Sequence, residues 1–237
     1  MAEYPFPQEL VERVIQRRGR LHCFEDFEPR RTALLVVDMQ TGFLKPEWPT
    51  SLASAREIVP TINRLARTLR EAGGQVVWLI STYGPDPADR WPLLFDQLMG
   101  AEAGGFFRRV LSEGHEGHGI WPALERLPGE PVVAKNRFGG FSGSGGRLEA
   151  VLRARGVDTL LVVGTVTNVC CESTAREAAF ANFRTVMVSD ANAGRSERDN
   201  LVTFSTFIRA FGDVLSSEAV LARLEALARG ARAAARG

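Results

Sequence analysis

The sequence predicts one α/β domain in which a parallel β-sheet is covered by helices on both faces, a three-layer doubly wound arrangement. Two observations predict it. Apolar runs alternate with amphipathic ones along nearly the whole chain, which is the βα rhythm of parallel sheets. The runs TALLVVD, QVVWLIST and TLLVVG are hydrophobic at consecutive positions rather than at alternate ones, as strands buried on both faces must be. With 237 residues, 45% of them hydrophobic, the chain can bury a large core, and no apolar run approaches the roughly 18 residues that a membrane span needs.

The elements follow in order. Residues 7–18 read as a short helix within an N-terminal extension over residues 1–30, ahead of a core over residues 31–229. Thr32–Asp38 is the first strand. Residues 55–72 carry Ile58, Ile62, Leu65 and Leu69 at helical spacing, and Gly73 and Gly74 end that helix because glycine enters the left-handed region freely. Strands follow at Gln75–Thr82, Pro131–Lys135, Thr159–Gly164, Arg184–Asp190 and Asp213–Leu215. Helices are expected over Arg147–Arg155 and from about Ser217 to Arg229, with the Ala/Arg/Gly tail beyond it frayed. Residues 83–129, rich in Pro, Gly and aromatics, form a long irregular connection of the kind that serves as a lid or an assembly surface.

Charge excludes several classes of partner. Twenty-nine basic and 28 acidic side chains leave a net charge of +1, so bulk electrostatics recruit neither nucleic acid nor anionic lipid, and a small neutral or singly charged substrate is expected. The N-terminus lacks the basic and apolar regions of a signal peptide, and three cysteines cannot all pair within one chain, so the expected compartment is the reducing cytoplasm.

The most informative stretch is LLVVGTVTNVCCESTARE, Leu160–Glu177. An apolar strand stops at Gly164 and a helix begins a few residues later, with Thr167 or Asn168 as its cap and Cys170 in its first turn. The dipole and free amides there favour thiolate over thiol. Two other strands end in complementary groups, Asp38 and Lys135, and right-handed crossovers bring all three to the carboxyl edge of the sheet. An aspartate near a thiol can take its proton and hand it to a leaving nitrogen, while an ammonium steadies both anions. That is the equipment of acyl transfer.

VVDMQ, the Lys135 segment and GTVTNVCCESTAREA together resemble the isochorismatase-like cysteine hydrolase superfamily, over about residues 30–220. The resemblance implies a six-stranded sheet in the order 3-2-1-4-5-6 and a homo-oligomer, a dimer or tetramer. It places a catalytic triad on Asp38, Lys135 and Cys170, and a cis peptide bond between Thr165 and Val166. It also implies an oxyanion hole from the amides of Val166 and Cys170, and makes Cys171, where the family commonly has valine, a packing residue. The implied chemistry is hydrolysis of a small amide, ureido or carbamoyl substrate through a thioester, releasing ammonia. KNRFGGF and the nucleophile segment resemble the ureidoacrylate hydrolase and N-carbamoylsarcosine amidase branch. In that setting Arg137 can pair a substrate carboxylate, with Tyr83, Phe138 and Phe141 walling the pocket.

Residues that are missing also discriminate. Nicotinamidases of the superfamily bind a metal through an aspartate and histidines after the second strand, but this chain reads STYGPDPADR there, and His115 and His118 lack a clear third ligand. No metal and no cofactor are expected. Vinyl-ether-cleaving isochorismatases lack the cysteine, so Cys170 favours carbon–nitrogen hydrolysis over that alternative. A nucleotide-binding protein or a silent scaffold would share the sheet, but GTVTNV lacks the spacing of a dinucleotide fingerprint. The Gly-rich FGGFSGSGG, Phe138–Gly146, reads as a mobile loop beside the site that can cradle an anion.

Overall fold

The computed structural model describes residues 4–84, 86 and 89–234. Six strands form one parallel sheet in the order β3-β2-β1-β4-β5-β6, with β1 at Thr32–Val37, β2 at Gln75–Ser81, β3 at Val132–Lys135, β4 at Thr159–Thr165, β5 at Arg184–Ala193 and β6 at Asp213–Leu215. Both central strands, β1 and β4, are buried along their whole length. The pleat sends successive side chains to opposite faces. Leu34, Val36, Leu161 and Val163 meet one helical layer, which includes α2 (Val59–Glu71) through Ile62, Leu65 and Leu69. Leu35, Val37, Leu160 and Val162 meet the other. That layer holds α4 (Arg147–Arg153), α5 (Glu172–Phe180) and α6 (Glu197–Ala210), which contribute Leu148, Leu152, Ala175, Phe204 and Phe207.

Several boundaries differ from the sequence reading, each for a local reason. The expected helix over 55–72 is two helices, Ala53–Glu57 and then α2, because Pro60 lacks the amide needed to continue the first and suits the opening turn of the second. Strand β5 continues past Asp190 to Ala193, with a register shift opposite Val162 and Gly164 where the Asn192 amide bonds the carbonyls of Val162 and Val188. Helix α6 was absent from the sequence reading. Its signal is there, since Ser196 accepts a hydrogen bond from the Asp199 amide as N-cap and Phe204, Phe207 and Ile208 share the buried face. The connection over 83–129 is not structureless: it contains a wide helical turn at Leu93–Leu98 and α3 (Ala101–Val110), joined around Tyr83, Phe95 and Phe107. The last helix, α7 (Ser217–Ala234), runs beyond the expected end at Arg229. Residues 235–237, expected to fray, lie outside the described residues.

The N-terminal extension begins with α1 (Gln8–Arg18) and is clasped to β6 by Asp213. This buried carboxylate accepts the amides of Cys23 and Phe24 at 2.6 and 3.0 Å and meets His22 Nδ1 at 2.8 Å. Burial alone would raise its pKa, but the His22 contact and the two amides outweigh burial and leave it below the usual carboxylate range. A folded pKa below the unfolded one gives stability that is present above about pH 4 and lost as pH falls through the folded value. Asp213→Asn is therefore expected to be less stable by about 1–3 kcal/mol at neutral pH. Urea titrations at several pH values should find the difference from the parent shrinking below about pH 4.

Candidate active site

Four consecutive strands of the sheet, β3, β2, β1 and β4, deliver Lys135, Ser81, Asp38 and, beyond a short turn, Cys170 to one carboxyl edge. Asp38 follows β1 directly and has φ of 50°, a left-handed conformation that aspartate tolerates better than most residues. Gly164 lets β4 leave the sheet against it. With φ of 122°, Gly164 lies so close to β1 that a Cβ would stand 2.1 Å from the Val37 carbonyl oxygen. Any side chain there would push β4 and Cys170 away from Asp38. The peptide bond between Thr165 and Val166 is cis.

The turn after β4 differs from the expected one. Thr167–Cys171 forms a wide turn in which the Cys171 amide bonds the Val166 carbonyl at 3.2 Å, and α5 proper begins at Glu172. Neither Thr167 nor Asn168 is a cap: Val166 flanks the wide turn and Cys171 flanks α5, and the Thr167 hydroxyl is buried without a partner among the described residues. The geometry also corrects the electrostatic expectation. Burial first, and the Asp38 charge second, push the Cys170 thiol well above its ordinary pKa, with Lys135 pulling the other way. At rest the sulfur keeps its proton.

Asp38 and Lys135 are both fully buried, with Nζ 2.8 Å from Oδ2. Burial would lower the lysine pKa, but the negative charge of Asp38, supported by Cys170 and Tyr83, wins and raises it. Lys135 Nζ also donates to Ser81 Oγ at 2.8 Å, to the Arg137 carbonyl at 3.2 Å and to Cys170 Sγ at 3.5 Å. Neither Asp38 oxygen meets a donor at the angle of a full hydrogen bond among the described residues, so the lysine contact is an ion pair and acceptor capacity remains. Cys170 keeps 6% of its surface exposed, whereas Cys171 is sealed in the core.

Residues 32–219 match the isochorismatase domain. The chain belongs to the isochorismatase family. It is 31% identical over 216 residues to a ureidoacrylate amidohydrolase, RutB, of Methylorubrum extorquens, a match covering 84% of this chain and 86% of that protein. Among solved structures it is similar to a cysteine hydrolase from Pseudomonas syringae, with a TM-score of 0.76 and 30% identity over 84% of this chain and 95% of that one. It is also similar to the N-carbamoylsarcosine amidase of Thermoplasma acidophilum, with a TM-score of 0.64 and 26% identity over 79% and 96% of the two chains.

Around Asp38, Lys135 and Cys170 of this isochorismatase-family chain, the expected pocket residues take different places. Arg137 lies with its guanidinium 5.1 Å from the Trp91 ring centre and donates to the Asn136 carbonyl, with no carboxylate paired to it among the described residues. Phe138 packs edge-on to the same Trp91 at 4.7 Å, and Asn136 bonds Asp89 at 2.9 Å, so the segment around residues 89–91 folds onto the segment that follows Lys135. Tyr83 is buried with its ring edge-on to Phe95, and its hydroxyl pairs with Ser81; burial raises its pKa. Phe141 packs into the core against Phe183, and Glu177 on α5 accepts its amide at 2.8 Å.

The same carboxylate overturns the mobile-loop expectation for Phe138–Gly146. Glu177 accepts the Phe141 and Ser142 amides and the Ser142 hydroxyl, and Thr174 accepts the Gly140 amide, so these donors are taken up within the protein. His118 pairs with the Thr82 hydroxyl at 2.8 Å, and His115 accepts the Gly117 amide. Among the described residues no three His, Cys, Asp or Glu side chains gather in a way that could hold a metal ion, and no helix is long and apolar enough to cross a membrane. Sequence reasoning missed Gln40, Ser81, Trp91 and Glu177. Only Ser81 carried a usable signal, as the last residue of a strand beside the one that ends in Lys135.

Proposed function

We propose that this protein is a cysteine-dependent amidohydrolase that cleaves a carbon–nitrogen bond of a small ureido or carbamoyl acid through a thioester on Cys170. The observation that carries the reading is a buried ammonium that touches both a carboxylate and a thiol, with one lysine charge balancing one negative charge. That balance makes proton transfer inexpensive. When the thiol proton moves to Asp38, the negative charge passes from carboxylate to sulfur while Lys135 stays paired, so the total charge of the buried cluster is unchanged.

The sulfur then attacks the carbonyl carbon, and the developing oxyanion is held by the amides of Val166 and Cys170. Asp38 returns its proton to the departing nitrogen, leaving a thioester and a carboxylate ready to take a proton from water. Water adds to the acyl carbon, the carbon–sulfur bond breaks, and the proton returns to sulfur. From a ureide, the carbamate so released breaks down to carbon dioxide and ammonia. The names of the relatives, ureidoacrylate amidohydrolase and N-carbamoylsarcosine amidase, support carbon–nitrogen hydrolysis on a substrate that also bears a carboxylate. Arg137 is the anchor for that carboxylate, held over the Trp91 ring and unpaired with any acid among the described residues.

An ammonia-release screen over ureido acids, carbamoyl amino acids, dicarboxylic monoamides and neutral amides tests this, with Cys170→Ala as blank. The expected ranking puts carboxylate-bearing ureides above neutral amides. Arg137→Gln is expected to raise KM for the acids about 10- to 100-fold, the loss of one charged pair, and to leave neutral amides within about threefold. Equal turnover of acids and neutral amides would remove Arg137 from the account. Turnover that persists in Cys170→Ala would end the proposal.

A further inference from the structure

Lys135 offers three N–H donors to four acceptors. Asp38 Oδ2 and Ser81 Oγ are both at 2.8 Å, whereas the Arg137 carbonyl and the Cys170 sulfur stand farther off at 3.2 and 3.5 Å. Ser81 is the register partner of Lys135 across β2 and β3, and its backbone is gripped at both ends. Gln40 Oε1 accepts the Ser81 amide at 2.8 Å, and Gln40 Nε2 donates to the Ser81 carbonyl at 3.0 Å. Gln40 is itself fully buried, two residues beyond Asp38. A closed ring results: Asp38 to Lys135, Lys135 to Ser81, Ser81 to Gln40, and along the chain back to Asp38. The Tyr83 hydroxyl is a further polar neighbour of Ser81.

Resting on the cysteine, aspartate and lysine reading above, we infer that Ser81 is a positioning residue whose hydroxyl aims the Lys135 ammonium. Ser81 takes one N–H, and Asp38 Oδ2 holds the ammonium as an ion pair. The other two N–H groups face the Arg137 carbonyl at 3.2 Å and the Cys170 sulfur at 3.5 Å. A neutral thiol is a weak acceptor and a thiolate a strong one, so the contact with sulfur tightens as the thiol ionises. Without the Ser81 oxygen one N–H loses its acceptor, the ammonium turns toward the carbonyl and the carboxylate, and the thiolate loses its fixed counter-charge. No bond to carbon is made or broken by Ser81.

The experiment compares the parent, Ser81→Ala and Ser81→Thr, with Cys170→Ala as the labelling blank. Iodoacetamide labelling of Cys170 is followed by peptide mass across about pH 6 to 10, the range over which cysteine thiols ordinarily ionise. Hydrolysis of ureidoacrylate is followed by ammonia release, and melting midpoints establish that each variant is folded. Ser81→Ala is expected to slow labelling of Cys170 at least about fivefold at pH 8, to move its pH profile upward, and to lower kcat about tenfold or more with KM within about twofold. Ser81→Thr keeps the hydroxyl and is expected to retain at least about half the parent labelling rate. A folded Ser81→Ala variant within about twofold of the parent in labelling, or a Ser81→Thr variant as impaired as the alanine, overturns the inference. If ureidoacrylate is not turned over, labelling alone decides. Failure of Cys170 to label in the parent would instead remove the underlying reading, and the inference with it.

Discussion

Cys170→Ala is expected to lower kcat by at least about 10⁴-fold while the protein remains folded, because no other group in the site can form the covalent intermediate. Cys171 cannot substitute for it: its side chain is sealed in the core, and burial pushes its thiol well above the ordinary range. The loss of one sulfur from a buried position lowers stability by about 1–2 kcal/mol, which a urea titration separates from the loss of turnover. The resting protonation of Cys170 adds a second expectation. Burial and the Asp38 charge hold its proton, so iodoacetamide labelling of the parent climbs steadily with pH instead of levelling off below neutrality as it does for thiols at exposed helix N-termini.

Lys135→Met has the largest expected effect on stability and also slows turnover. Methionine fills similar space but removes the only cation touching Asp38 among the described salt bridges, leaving a fully buried carboxylate without a counter-charge. Turnover is expected to fall at least about 10³-fold and stability by about 3–5 kcal/mol at neutral pH. Adding Asp38→Asn removes the unpaired charge. The double variant should recover most of the stability and none of the activity, as measured by urea titration and ammonia release.

Much of this site was legible from strand ends alone. TALLVVD, PVVAK and TLLVVG each finish in or just before a chemical group, and parallel crossovers put strand ends of one kind on one edge, so Asp38, Lys135 and Cys170 could be grouped without coordinates. What the sequence could not reveal is long-range side-chain pairing. Glu177 fixes the loop after Lys135 from the helix that follows Cys170, and nothing local marks that pairing. Gln40 bonds both backbone groups of Ser81, 41 residues away. The raised thiol pKa was missed because the helix-terminus argument considers only the local dipole, whereas burial and a neighbouring carboxylate decide the sign. Helix α6 was overlooked through its β-branched content, Val202, Thr203, Thr206 and Ile208, which masks the apolar face formed by Phe204 and Phe207.

The central claim is that the substrate becomes joined to one sulfur. Rapid acid quenching during turnover of a ureido acid, followed by mass analysis of the peptide containing Cys170 and Cys171, tests it most directly. The account predicts an acyl adduct that forms within the first turnover, is lost on treatment with hydroxylamine as thioesters are, and is absent from Cys170→Ala. Steady ammonia release from the parent with an unmodified Cys170 peptide at every quench time, and undiminished release from Cys170→Ala, would contradict it.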